Sequence, residues 1–217
     1  MIEDDFKTEE AMIPSDKITL VCFEDRYPAP ARRLVDSQKS LLGLDHAIMF
    51  GGDGSDVKVP KVNHINDYNR FMLKELNNYI DTEYVLVIQL DGFCSNPSKW
   101  EDEFLSYDYI GAPWRMGQNK RYLQQLGLPD HDNQVGNGGF SLRSKKLLEF
   151  FSTIEYDEVS PEDTVICLKH YQDAVDAGLK YAPFDLAERF SSEPYHTESF
   201  GFHGNRDLVN QYLRRRV

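Results

Sequence analysis

Apolar and polar residues alternate along this chain in two rhythms. Ile18–Phe23 is a nearly unbroken run of β-formers, and Tyr84–Leu90 is the strongest apolar run in the sequence. Such runs predict strands buried on both faces. Between them Ala31, Leu34, Val35, Leu41 and Leu42 recur at helical spacing and stop at Gly43. Ala47–Phe50 predicts a second short strand, closed by Gly51-Gly52. The chain thus opens β-α-β, the unit of a parallel sheet. Pro28 and Pro30 are expected to punctuate the end of the first strand. Asp67–Tyr79 predicts an amphipathic helix, with Tyr68, Phe71, Met72, Leu76 and Tyr79 on one face.

Further along, Asn96-Pro97 predicts a short helix carrying Trp100 and Phe104, and Tyr107–Gly111 another strand. Residues 115–134 include Arg115, Gln118, Asn119, Lys120, Arg121 and His131 without a period, which predicts an irregular, mobile loop over a site. Val135–Arg143 reads as a glycine-rich turn running into a strand, and Ser144 as the cap of a helix through Phe151. Ser160-Pro161-Glu162-Asp163 reads as the start of a helix reaching Gly178, with Ser160 at the cap. A helix around Leu186–Phe190 and a basic helix ending Arg214-Arg215-Arg216 follow. No repeat or linker interrupts the pattern. The expected organisation is a polar leader over residues 1–16 and one α/β domain over residues 17–217, with a central mostly parallel sheet flanked by helices.

Charge and cysteine usage narrow the partners. The 217 residues carry 24 Lys plus Arg against 36 Asp plus Glu, a formal net charge of -12. That balance argues against nucleic acid or an anionic membrane as a partner. No apolar run is long enough to span a bilayer, and the start Met1-Ile2-Glu3-Asp4-Asp5 has no secretion signal. Cys22, Cys94 and Cys167 form no CxxC pair and read as reduced thiols. A cytoplasmic location is expected.

Four places can carry chemistry. Asp91 follows the apolar strand at its carboxyl end, where open α/β sheets place ligands, and Gln89 lies on the same side. Asp91 could ligate Mn²⁺ or Mg²⁺ beside diphosphate oxygens, or merely form an Asp-Gly turn. Gly136, Gly138 and Gly139 admit a close ligand approach, or make a tight hairpin or bulge. The run lacks GxGxxG spacing and a P-loop lysine, which excludes those nucleotide sites. Glu162 and Asp163 could hold an acceptor hydroxyl and take its proton, or simply start a helix. His203 is a metal ligand, a phosphate contact or a packed residue. Ser141 is not in GxSxG, so a hydrolase of that type is unsupported.

Taken together, Asp67-Tyr-Asn-Arg-Phe71, Glu83–Phe93, Trp100–Trp114, Val135–Ser144, Pro161-Glu-Asp163, Ala182-Pro183 and Phe200–Gly204 resemble the DUF5672 group of bacterial and viral proteins. That resemblance spans about residues 17–204 and implies a glycosyltransferase-A-like, Rossmann-like fold. The motif order is also similar to the β-1,4-galactosyltransferase family: an acidic metal motif, Gly-Gly-x-Ser, Glu-Asp, then a metal-binding His. The resemblance implies a metal-dependent transferase of polysaccharide biosynthesis, moving sugar from a nucleotide-sugar, UDP-sugar favoured, to a glycan hydroxyl with inversion. It casts Asp91 and His203 as ligands to Mn²⁺ or Mg²⁺ and Gly138-Gly139 as the lining of the sugar and acceptor pocket. Asp163 would be the general base and Glu162 would hold the acceptor. Gln89 departs from the pattern, standing where the usual DxD has its first Asp, so one charge is missing. Trp114 is expected to be a platform for a sugar ring or nucleobase, with Trp100 and Tyr109 in the core; Arg70 could face the diphosphate. Helix-start amides are expected to lower the Asp163 pKa. Two other readings stay open: a non-catalytic carbohydrate-binding or scaffold domain, which Gln89 favours, and a nucleotidyltransferase. Glu24-Asp25-Arg26 after the first strand, acidic rather than basic, weakens the latter. The chain as one module of a larger glycan-assembly protein also stays open.

Overall fold

A computed structural model describes residues 12–114, 117–193 and 198–204. The expected basic helix at Arg214–Arg216, residues 1–11 of the leader, and Arg115 lie outside them. Six strands form the main sheet: β1 (Ile18–Phe23), β2 (His46–Gly51), β3 (Val57–Lys58), β4 (Tyr84–Ile88), β6 (Tyr109–Gly111) and β7 (Ser141–Ser144), in the order β3-β2-β1-β4-β7-β6. A smaller sheet has the order β5-β9-β8, from β5 (Gly92–Cys94), β8 (Ser191–Ser192) and β9 (Gly201–His203). β3, β2, β1 and β4 are parallel neighbours. β7 then runs antiparallel to both β4 and β6.

The two apolar runs behave as their composition demands. Leu20 and Cys22 of β1 face one core with Leu86 and Ile88 of β4. Val21, Val85 and Val87 face the other, with Phe50, Phe71, Met72 and Leu76. Helix α1 (Pro28–Leu42) buries Ala31, Leu34, Val35 and Leu42 and ends at Gly43, whose φ of 64° suits glycine. Pro28 and Pro30 lie in its first turn rather than closing β1, because a helix start has no use for their missing N–H groups.

The second helix is less regular than its pattern suggests. α2 (Ile65–Arg70) passes into a π-helical turn over Phe71–Glu75 and a 3-10 turn over Leu76–Tyr79. The π turn shifts the phase, so Phe71, Met72 and Leu73 are buried in a row. Residues 118–126 form helix α3 (Gln118–Leu126) instead of an irregular loop, anchored by buried Leu123 and by Asn119, whose Nδ2 donates to the Asn133 carbonyl. Helix α4 (Lys145–Thr153) starts as expected, the Ser144 hydroxyl accepting from the Leu147 N–H at 3.1 Å. Then come the short turn α5 (Glu162–Thr164), a second π turn over Val165–Lys169, α6 (Tyr171–Asp176) and α7 (Phe184–Phe190). Ser160 does not cap α5. Its hydroxyl donates to Asp157, and Pro161 occupies the cap position.

An aromatic cluster of Trp100, Phe104, Phe140, Phe190 and Phe200 joins the two sheets. A Cβ on Gly201 would overlap the Phe140 ring, so glycine there lets β9 lie against the start of β7. Cys22, Cys94 and Cys167 are buried free thiols. Among the described residues, no helix is long and apolar enough to cross a membrane.

Candidate active site

The switch from parallel to antiparallel between β4 and β7 creates the site. Val87 pairs with Ser141, so the carboxyl end of β4 meets the chain entering β7. Gln89 and Gly92 exchange two backbone hydrogen bonds, 2.8 and 3.0 Å, which puts Leu90 and Asp91 at the tip of a tight turn into β5. Gly92 in turn pairs with His203 of β9. The Asp91 turn and the Asp91 site are therefore one feature. Its Oδ1 lies 3.9 Å from His203 Nε2. Gln89 Nε2 donates to the Tyr68 hydroxyl at 3.0 Å. A Cβ on Gly139 would overlap His203 Nε2 and lie 2.7 Å from Gln89 Oε1, so these two atoms face the same small space.

The donors around that space decide whether a cation fits it. Among the described residues no group of three or more His, Cys, Asp and Glu side chains converges on a metal position. The donors gathered here are one carboxylate, one imidazole nitrogen and one amide oxygen. Oxygen with imidazole suits Mn²⁺, and fewer protein ligands suit Mg²⁺, which keeps several waters. The residues fit a divalent cation, with less charge than a DxD pair would supply.

On the other side of the glycine pair lies a carboxylate centre. Arg143 is fully buried, and its Nη2 donates to Glu162 Oε1 at 2.8 Å and to the Gly138 carbonyl at 3.2 Å. Glu162 Oε2 accepts from the Asp163 N–H at 2.9 Å, and the Glu162 N–H donates to buried Asn69. Both Glu162 oxygens are thus engaged inside the protein. This departs from the expectation that Glu162 holds an acceptor: a buried guanidinium has claimed it. Asp163 is half-buried. It accepts from Thr164 N–H at 2.7 Å and, more weakly, from Gly138 N–H at 3.4 Å.

Electrostatics here reverse one expectation. Burial and then the neighbouring Glu162 charge push the Asp163 carboxyl up to about 6, and the two amides offset only part of that. At His203, burial lowers the pKa, but Glu193, Asp91 and Asp163 together outweigh it and raise it above the ordinary imidazole value. The two halves of the site feel each other's charge. Burial raises the Tyr68 phenol, and Glu162 adds to the effect.

The adjacent glycines explain the unusual run without a phosphate loop. A Cβ on Gly138 would overlap Glu162 Oε1 and lie 2.7 Å from Arg143 Nη2. One on Gly136 would overlap the Trp114 indole. The two site glycines should therefore fail differently. Gly138→Ala is expected to cost about 1–3 kcal/mol by forcing the buried pair apart. Gly139→Ala should melt closer to wild type, because the His203 and Gln89 side chains it would meet are only partly buried and can give way. Melting curves on both variants check this; equal loss of stability would remove the distinction.

Not every expected site residue arrives. Trp114 is 5 % exposed and packs in the core over Gly136, so it offers no open ring face, in the way expected of Trp100 and Tyr109. Arg70 is exposed, 3.9 Å from Glu75, and lines a neighbouring groove of about 390 Å³ with Lys61 and Asn63. The cleft that contains Gln89 and Asp91, about 280 Å³, is lined also by Phe23, Glu24, Asp25 and Tyr68. Arg143, Tyr68, Asn69 and Glu193 are site residues that the sequence does not point to by itself. Only Arg143 leaves a signal: with Ser141 it forms a polar face in a strand otherwise flanked by core residues.

The family model described as "Protein of unknown function (DUF5672)" matches residues 56–207. No curated protein matches the chain in sequence. Among solved structures, a glycosyltransferase involved in glycosylation of the major capsid of PBCV-1 is 12 % identical, with 91 % of this chain and 98 % of that chain covered and a TM-score of 0.55. The galactosyltransferase LgtC, with donor and acceptor sugar analogs, is 16 % identical over 90 % and 94 % of the two chains, at a TM-score of 0.49. The glucosyl-3-phosphoglycerate synthase from Mycobacterium tuberculosis, with Mn²⁺ and UDP-glucose, is 14 % identical over 83 % and 77 %, at 0.44. The first of these carries the fold assignment, which is glycosyltransferase-A-like. The family match takes in well over half of the sequence and every residue of the two half-sites, and the chain belongs to the DUF5672 family.

Proposed function

We propose that this protein is a metal-dependent glycosyltransferase that moves a sugar from a nucleotide-sugar, a UDP-sugar in the favoured reading, to a glycan hydroxyl with inversion. One observation carries the proposal: a cation-compatible corner of Asp91, Gln89 and His203 abuts a raised-pKa carboxylate, Asp163, across Gly138-Gly139. The cleft supports it. Among the described residues Glu24, Asp25 and Asp91 line it and no Lys or Arg does, so a bare diphosphate would meet like charge from them.

Asp91, His203 and Gln89 are the residues that would hold Mn²⁺ or Mg²⁺, which when bound would neutralise charge on a nucleoside diphosphate leaving group. Asp163 is the base of the reaction. With its carboxyl at about 6 it is ionised at neutral pH, and more basic than an ordinary aspartate. It takes the proton of the incoming hydroxyl as that oxygen bonds to the sugar carbon and the diphosphate departs. Glu162 and Arg143 hold the Asp163 backbone in place. The Tyr68 hydroxyl steadies the Gln89 amide.

The test is melting temperature with UDP alone, Mn²⁺ alone and both. Joint stabilisation should exceed the sum of the two, and Asp91→Asn should remove the excess while leaving the ligand-free melt unchanged. Equal stabilisation by UDP with and without the cation, or an Asp91→Asn protein that behaves as wild type, would overturn the assignment. Release of nucleotide from a panel of nucleotide-sugars then names the donor.

A further inference from the structure

We infer that Glu193 is a positioning residue: its carboxylate accepts the Nδ1 proton of His203 and so fixes the imidazole tautomer whose Nε2 lone pair faces Asp91 and Gln89. The inference rests on reading that corner as a cation site.

The sheet brings the two residues together. β8 and β9 are parallel, with Ser192 paired to Phe202, so Glu193 and His203 leave the ladder side by side. Glu193 Oε1 stands 3.3 Å from His203 Nδ1. Nδ1 is closed off from solvent and makes no well-aligned hydrogen bond within the described residues, and the Glu193 carboxylate stands within reach of it. Glycine shapes the same corner. Gly204 has a φ of 71°, its N–H donates to the Asp91 carbonyl at 2.8 Å, and a Cβ there would lie 3.2 Å from Glu193 Oε1. The strand end is thereby tied to the Asp91 turn and lies close to Glu193.

The chemistry follows from the single proton of a neutral imidazole. Whichever ring nitrogen carries it cannot ligate a cation. With no acceptor at Nδ1, the proton is shared between the two nitrogens and part of the population is unable to bind. A carboxylate at Nδ1 selects the other nitrogen as ligand, holds the ring plane and makes Nε2 more basic. Asp91 stands at the ligand side, 3.9 Å from Nε2, and Glu193 at the rear. The two carboxylates have different tasks.

The tautomer can be read directly. In the metal-free full chain with ¹⁵N-labelled histidine, at about pH 9, two-bond nitrogen–proton correlations should show His203 protonated on Nδ1. Glu193→Ala should move it toward an Nε2-protonated mixture. Glu193→Gln should restore the wild-type pattern, because an amide oxygen accepts the same bond. In calorimetry of Mn²⁺ with UDP present, Glu193→Ala should bind about 10–100-fold more weakly and Glu193→Gln within a few-fold of wild type. A wild-type His203 protonated on Nε2, or an unchanged tautomer in Glu193→Ala, would overturn the role of Glu193. A wild type that takes up no Mn²⁺ with UDP would overturn the functional reading, while the tautomer still decides on Glu193 by itself.

Discussion

Asp163→Asn is expected to slow sugar transfer by roughly two to four orders of magnitude while making the protein more stable at pH 7. Both effects have one cause. The folded protein raises this carboxyl from 3.8 to about 6, by burial and by the adjacent Glu162 charge. The sign of the linkage follows. A carboxyl whose pKa is raised on folding contributes stability that is full below about pH 4 and is lost as pH rises through 6. At neutral pH the ionised Asp163 therefore costs the fold something of the order of 1–3 kcal/mol. Asparagine keeps the shape and can accept from Thr164 N–H, but carries no charge, so the cost disappears. For a chain of this size that is a rise of several degrees in melting temperature. The wild-type kcat/KM should fall below about pH 6, and the residual rate of Asp163→Asn should be flat there. Ser160→Ala is the control: Ser160 bonds to Asp157, so its loss should touch stability and leave turnover alone. An Asp163→Asn enzyme with near-normal turnover would remove Asp163 as the base, whatever its melting temperature. A variant both slow and unstable would mean that the carboxylate is mainly structural.

Arg143→Met should be the most destabilising single change in the site, at about 3–5 kcal/mol. The guanidinium is 0 % exposed and meets a Glu162 side chain that is almost equally enclosed, at 2.8 Å. Burial pulls the Arg143 pKa down, but Glu162, Tyr109 and Tyr68 together outweigh it and keep the group charged. Removing the cation strands a carboxylate without a partner in a medium that solvates it poorly. The double variant Arg143→Met, Glu162→Leu should recover most of the stability, since two apolar groups leave no buried charge. It should not recover activity, because Glu162 Oε2 holds the Asp163 N–H and the proposed base would lose its seat. Urea melts of the two variants and one transfer assay decide the matter. An Arg143→Met protein within about 1 kcal/mol of wild type would show that the pair is not the anchor, and an active double variant would free Glu162 of any positioning role.

About half of the site is legible in the sequence. Asp91, Gln89 and His203 each stand out there singly, and the fold brings them to one corner. Asp163 stands out too, but its pKa is not legible there: the helix-start amide beside it lowers the pKa, whereas burial in the folded chain, together with the Glu162 charge, raises it further. Trp114 and Arg70 point toward the site by residue type alone. An aromatic followed by a polar stretch looks like a platform until that stretch folds as α3 and closes over it; Trp114 and Tyr122 of α3 meet edge-to-face. The 65–79 segment has the periodicity of one regular helix because a π turn needs no special residue, only packing that favours burying three in a row.

What the amino-acid sequence determines by itself is what short-range periodicity and local chemistry can express. β1 and β4 are apolar on both faces and have to be central strands; α1 carries its own stripe, prolines and glycine stop; Ser144 caps α4 through its own hydroxyl. Those features depend on neighbours within a few residues. The tertiary structure alone decides which segments lie opposite one another. The antiparallel pairing of β4 with β7 sets Gly139 beside Gln89, the parallel pairing of β8 with β9 sets Glu193 beside His203, and burial pairs Arg143 with Glu162. Register between strands is chosen by the summed packing of whole faces, a long-range quantity that no window of the chain contains, and the chemistry of this site depends on that register.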